Sequence, residues 1–128
     1  MIGLVLVLIV LITLIDMYIH QLPKAVIETP IAGVGGLHVL VNNACIVQVG
    51  DLHECTDKDW DEAMNTNIRP MFYSTKYAYD DLRNNPRSDI VNVGSINSFV
   101  GQASIPVFTT SKHDVHGGSR QATGVLGD

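Results

Sequence analysis

Ser95, Phe108 and Lys112 lie within eighteen residues of one another, and two of the three carry groups that can do chemistry. A serine hydroxyl can hydrogen-bond a substrate oxygen, and a lysine ammonium is a cation that helps a nearby weak acid to ionise. Phe108 and Lys112 are four residues apart, a step that puts both on one face of a helix. A phenyl ring has no proton to give or take, so this pair supplies no acid or base of its own. Taken singly, Ser95 is a loop serine, Lys112 a solvated lysine, and Asn67 a helix surface residue or a local disturbance beside Pro70. His113 and His116 are three apart, but a zinc site needs three or four ligands, so no metal site is assigned. Cys45 and Cys55 read as two reduced thiols, too few for a disulfide framework.

The elements that must position these groups follow from the hydrophobic pattern. Leu37 to Val41 is a short apolar run ending at Asn42-Asn43, the mark of a buried strand. Thr56-Asp57-Lys58-Asp59 resembles a capping box with Asp in its last place, and it starts a helix. Trp60, Met64, Ile68, Met71, Phe72 and Tyr79 recur at helical spacings behind it, with a kink expected at Pro70. Asn84-Asn85-Pro86 ends that element. Asp89 to Val93 reads as a second strand and Ser95 to Pro106 as a loop. A last helix spans about Thr109 to Gln121, weakened by Gly117-Gly118. The order strand, helix, strand, helix, with strands that do not alternate, implies an α/β fold with parallel strands covered by helices.

Charge is unevenly spread. Residues 1 to 35 carry only Asp16, Lys24 and Glu28 of the chain's twenty-one charges, and the net charge is −5. No run of Lys or Arg occurs, which argues against nucleic acid as a partner. Ile2 to Ile15 is an unbroken apolar run apart from Gly3 and Thr13, extended past Asp16 by Met17, Tyr18 and Ile19. Its length suggests that residues 1–20 are a membrane anchor through residues 2–19, and hence a membrane-associated protein. A helix buried in the fold or in a partner, and a misassigned gene start, are the alternatives. Residues 21–36, with Pro23, Pro30 and three glycines, read as a connector, and 37–128 as the folded domain.

HVLVNNAC (38 to 45), Asn67 in NTNIRP, IVNVGS (90 to 95) and FTTSK (108 to 112) fall in the order and spacing of the short-chain dehydrogenases/reductases. Over residues 35 to 120 the chain resembles the middle of that family's domain. The resemblance implies a partial Rossmann-like parallel sheet, preceded here by the apolar segment. It also implies NAD or NADP as cofactor and hydride transfer between an alcohol or carbonyl substrate and the nicotinamide. Asn42, Asn43, Ala44 and Cys45 match the family's Asn-Asn-Ala-Gly motif, which passes close to the nucleotide. Ser95 matches the serine that bonds the substrate oxygen, and Asn67 the asparagine of the proton relay. Lys112 matches the lysine that holds the nicotinamide ribose and lowers the pKa of a tyrosine four residues before it. Phe108 occupies that tyrosine's place.

These departures imply that catalysis by the family route is impaired, a pseudoenzyme. Cys45 replaces a glycine next to the cofactor, and His38 stands where the family usually has Asp. Ala32-Gly33-Val34-Gly35-Gly36 precedes a strand, whereas a phosphate-binding turn follows one, so cofactor binding is not expected either. The resemblance covers a chain truncated at both ends relative to the family. Helices matching residues 56–84 and 109–121 commonly pair subunits in that family. The alternative function is therefore a non-enzymatic module that forms a homo-oligomer or pairs with a full-length relative.

Overall fold

The computed structural model describes residues 7–10 and 24–126. Three parallel strands, β1 (Val7–Val10), β2 (Val39–Asn42) and β3 (Asp89–Asn92), form one sheet in the order β1-β2-β3. Register is continuous across it: Val7 pairs with Val39 and Val39 with Asp89, through to Val10, Asn42 and Asn92. Helix α1 (Lys24–Val34) connects β1 to β2, and α2 (Asp57–Asn67) with α3 (Arg69–Asn84) connects β2 to β3. A single 3-10 turn (Ile96–Ser98) and the long α4 (Pro106–Leu126) follow β3. Parallel crossovers are right-handed, and strands laid down in sequence order therefore send successive helices to the same side of the sheet. The core obeys this: Ile27 and Ile31 of α1 meet Ala78 and Leu82 of α3 over Leu40 of β2, with Leu37, Tyr77 and Ile90 completing the cluster.

Two expectations for the N-terminal third are corrected. The connector expected at 21–36 is largely helical, because Ile27 and Ile31 are one turn apart and both are buried in the core. That burial outweighs the helix-breaking tendency of Pro30 and the poor propensity of the β-branched residues around it. Lys24 and Glu28 pair at 2.7 Å on the exposed side, and the carboxylate raises the lysine's pKa. Gly35, at φ 87°, then closes the helix, its N–H reaching Ile31 O at 3.0 Å. A left-handed residue at this place is the usual helix stop, and glycine takes it without a Cβ penalty.

The second correction concerns the apolar run. Val7–Val10 is a strand bonded to β2, not part of a membrane-spanning helix, and no helix among the described residues is long and apolar enough to cross a membrane. A run of β-branched and aliphatic residues without a polar face suits a sheet strand equally well. The rest of the run expected as an anchor, residues 2–6 and 11–19, lies outside the described residues.

Around Pro70 the expected kink is a full break. Asn67 ends α2, Ile68 is the joint, and Pro70 sits in the first turn of α3, where its missing N–H costs nothing. Thr56 caps α2 as its sequence suggested: Thr56 Oγ1 accepts from Asp59 N at 3.2 Å, and Asp59 Oδ2 accepts from Thr56 N at 2.8 Å. The last helix begins at Pro106 and runs to Leu126, longer at both ends than expected. Gly118 has a packing reason: a Cβ there would come within 2.9 Å of Met71 Cε on α3.

Candidate functional site

The residues singled out above converge where β2, β3 and the start of α4 meet. Asn42 closes β2, and its side chain belongs to a polar chain that crosses the sheet. Ser74 Oγ donates to Asn42 Oδ1 at 2.6 Å, Asn42 Nδ2 to Asn92 Oδ1 at 2.7 Å, and Asn92 Nδ2 to Ser119 Oγ at 3.0 Å. Ser119 Oγ passes the chain to Val115 O at 2.7 Å. Polar groups under helices are costly unless bonded, and this chain bonds them while locking α3 and α4 to the strand ends. Sequence reasoning found Asn42 but missed Ser74, Asn92 and Ser119. The available signal was a serine in the buried stripe of α3 and an asparagine ending both β2 and β3.

Asn67 is buried at the end of α2. Its Oδ1 accepts from Ile46 N at 2.8 Å, while its Nδ2 donates to Ile46 O at 3.0 Å and Ser111 Oγ at 2.9 Å. Ser111 Oγ in turn donates to Phe108 O at 2.8 Å. One amide thus clamps the loop after β2 to α4 and fixes the backbone of Phe108. Read alone as a surface residue, Asn67 is instead interior.

Lys112 is not the solvated lysine that its isolated reading suggests. It is 3% exposed, its Nζ donates to Val93 O at 2.8 Å, and its ammonium lies 5.7 Å from the centroid of the buried Phe108 ring. An ammonium has three N–H donors. The carbonyl takes one of them, and no carboxylate is bonded to Lys112 among the described residues. A shallow open cleft runs past it, lined by Asn42, Asn43, Ala44, Asn67, Met71 and Val93. The structure therefore brings Asn42, Asn43, Ala44, Asn67 and Lys112 to one cleft. Ser95, Phe108 and Cys45 do not line it.

Ser95 caps the 3-10 turn. Its Oγ accepts from Asn97 N and donates to Asn97 Oδ1, each at 3.2 Å, and its N–H reaches Ser98 Oγ at 3.2 Å. Cys45 is exposed on the loop after β2. His113 Nδ1 meets Thr109 O at 2.9 Å and the His116 ring packs edge-on against Phe99, so neither histidine joins a metal cluster among the described residues.

The sequence profile of the short chain dehydrogenases matches residues 9–125, starting in β1 and well upstream of the stretch from 35 that the motifs alone indicated. The chain belongs to the short-chain dehydrogenase family, whose members include NAD(P)-dependent oxidoreductases of Rossmann fold. It is 36% identical over 97 residues to the 2-dehydro-3-deoxy-D-gluconate 5-dehydrogenase of Dickeya dadantii, covering 75% of this chain and 38% of that protein. The solved structure of ElxO with NADP bound superposes with a TM-score of 0.78 at 31% identity, over 82% of this chain and 43% of that one. A tyrosine-to-phenylalanine variant of ElxO with NADPH bound gives a TM-score of 0.78 at 32% identity, again over 82% and 43% of the two chains. The chain thus spans about two fifths of the length of the relatives it matches.

Proposed function

We propose that this chain is a short-chain dehydrogenase fold in which proton transfer has been lost, so that it does not turn over alcohols or carbonyls by the family route. The observation that carries this reading is the Phe108 ring beside the Lys112 ammonium. When hydride leaves a carbinol carbon the oxygen becomes acidic, and a base must take its proton as the carbonyl forms. A phenol has a pKa near 10 and serves at neutral pH only with a cation beside it. Here the cation is in place and the hydroxyl is absent. The ring and ammonium still attract one another, by about 0.5–2 kcal/mol for a cation over an aromatic face. The position is structurally satisfied and chemically silent. Loss of a general acid or base costs about 10²–10⁴-fold in rate.

In this reading the nicotinamide side of NAD or NADP would lie along the cleft, where Lys112 would hold ribose hydroxyls with its remaining donors, beside Asn43 and Ala44. The nicotinamide, when bound, supplies the hydride acceptor or donor. On the phosphate side support is weaker, because residues 11–23, which leave β1, contain no glycine to let backbone approach a pyrophosphate. The ElxO variant with NADPH bound argues that an exchange of tyrosine for phenylalanine does not by itself abolish cofactor binding. The weak cofactor affinity that this reading expects would then trace to the segment after β1. The test is calorimetric titration with NADPH up to millimolar concentration, together with an assay of NADP reduction by a panel of secondary alcohols. Binding no tighter than millimolar and no turnover are expected. Turnover abolished by Ser95→Ala or Lys112→Met would sink the reading.

A non-enzymatic interaction role has one observation in its favour. Trp60 and Phe72 are exposed on α2 and α3, with Lys76 Nζ 6.0 Å from the Phe72 centroid, as an aromatic anchor for a partner would be. Sedimentation of the chain and of Phe72→Asp would show whether this face pairs subunits.

A further inference from the structure

The Lys112 ammonium is seated on Val93 O at 2.8 Å, and Val93 is the first residue past the end of β3. Among the described residues β3 has a strand on one side only, and the sheet holds Val93 through the bond from its N–H to Asn42 O at 2.9 Å. The carbonyl under the lysine therefore has little ladder behind it. The side chain one residue earlier supplies more: Asn92 Oδ1 accepts from Asn42 Nδ2 at 2.7 Å, and Asn92 Nδ2 donates to Ser119 Oγ at 3.0 Å. Ser119 Oγ donates its own proton to Val115 O at 2.7 Å and so presents a lone pair to Asn92. This fixes the orientation of the Asn92 amide, since a flipped amide would set its donor against the Asn42 donor.

On α4 the two ties to β3 fall at Lys112 and Ser119, seven residues apart. Seven residues are close to two helical turns, so both lie on one face, with the buried Val115 between them. One tie alone would hold α4 near β3 and leave the helix able to roll or slide. Two ties about 10 Å apart along the axis fix both motions. Neither Asn92 nor Ser119 lines the cleft, so any effect they have there passes through Lys112.

We infer that Asn92 and Ser119 are positioning residues for Lys112: they hold the Val93 carbonyl and the inner face of α4 so that the ammonium stands at the cleft beside position 108. The inference rests on the reading that Lys112 is the cation serving this cleft, and not on whether proton transfer has been lost. Ser74 makes the natural control. It sits at the other end of the same hydrogen-bonded chain, on α3, and its bond to Asn42 Oδ1 touches neither Val93 nor α4.

The test places a phenol beside the ammonium as a reporter, using Phe108→Tyr in the full chain. Phenolate absorbance is read as the difference from the same chain keeping Phe108, which cancels the other tyrosines. A cation within about 4–6 Å holds a phenol below its ordinary value near 10. Asn92→Ala and Ser119→Ala, each added to Phe108→Tyr, should move the new phenol's pKa up by about 0.5 or more toward that value. Ser119→Thr, which keeps the hydroxyl, should leave it in place, and so should Ser74→Ala. Urea denaturation of each variant records the stability lost alongside. A purely structural role would lower stability in all three alanine variants and leave the phenol where it was, and that result overturns the inference. So does an ordinary value in Phe108→Tyr by itself, since no ammonium is then held at that place. If Asn92→Ala does not fold, Ser119→Ala against Ser119→Thr decides the matter. Turnover by the unmutated chain would remove the reading that proton transfer is lost and leave this inference standing, so the two failures are distinguishable.

Discussion

Beneath the helices, Ser74, Asn42, Asn92 and Ser119 form a hydrogen-bonded chain, and Asn67 commits its amide to Ile46 and Ser111. Three residues past the end of β3, Ser95 bonds only within its own turn, and Ile96 and Phe99 beside it are apolar and open to solvent. The first region is satisfied internally and needs no ligand. The second has polar and apolar capacity to spare. Family motifs run through both, so a matching motif residue can be holding the scaffold together, facing a ligand, or both. Asn42 and Asn67 have visible scaffold work in this chain, while Ser95 has almost none.

The sharpest way to break this contrast is to remove the Asn67 amide. Asn67→Ala would leave the Ile46 N–H and C=O without their side-chain partner, and the Ser111 hydroxyl with only its bond to Phe108 O. At about 1–3 kcal/mol for each buried polar group left unsatisfied, with partial relaxation, a loss of about 3 kcal/mol is expected in urea denaturation. A loss below about 0.5 kcal/mol would show that the clamp is not structural.

Phe108→Tyr tests the boundary between the regions. The new phenol would lie beside the Lys112 ammonium, which favours its ionised form, so it should titrate below the ordinary value near 10. Ultraviolet absorbance of the phenolate reads this without any cofactor. The same variant is expected to remain inactive with NADP and secondary alcohols, because residues 11–23 offer no glycine for the pyrophosphate. Clear turnover would show that the cofactor side is sound.

Ser95→Ala should cost less than about 1 kcal/mol of stability, since the bonds it removes are long and solvent can replace them. A larger loss would move Ser95 into the structural class and weaken the contrast. The smallest effect belongs to the cap of α2. Its hydrogen bonds from Thr56 hold the Asp59 carboxyl below its usual range. A depressed folded pKa stabilises fully above the unfolded value near 4 and is lost as pH falls through the lower folded value. The stability gap between the unmutated chain and Asp59→Asn should therefore narrow from pH 6 to pH 2, and a gap independent of pH would disprove the link.

Much of this was legible in the sequence because it depends on local pattern. β2, β3, the capped start of α2 and the Phe108–Lys112 step were all read from short windows, where period, capping chemistry and one-turn spacing act within a few residues. α1 was not, since Pro30 and its glycines speak locally for a connector. Only the burial of Ile27 and Ile31 against α3 makes that segment a helix. The apolar run was ambiguous for a related reason: with no polar face, its period cannot tell strand from helix, and pairing with β2 decides for Val7–Val10. The surroundings of Lys112, the interior place of Asn67 and the Ser74–Ser119 chain join residues 19 to 50 positions apart. The sequence by itself determined which chemical groups are present, and that a phenyl ring replaces a phenol four residues before the lysine. Tertiary structure decided which of those groups are spent and which are left free, because hydrogen bonds are satisfied by whatever long-range packing brings within 3 Å.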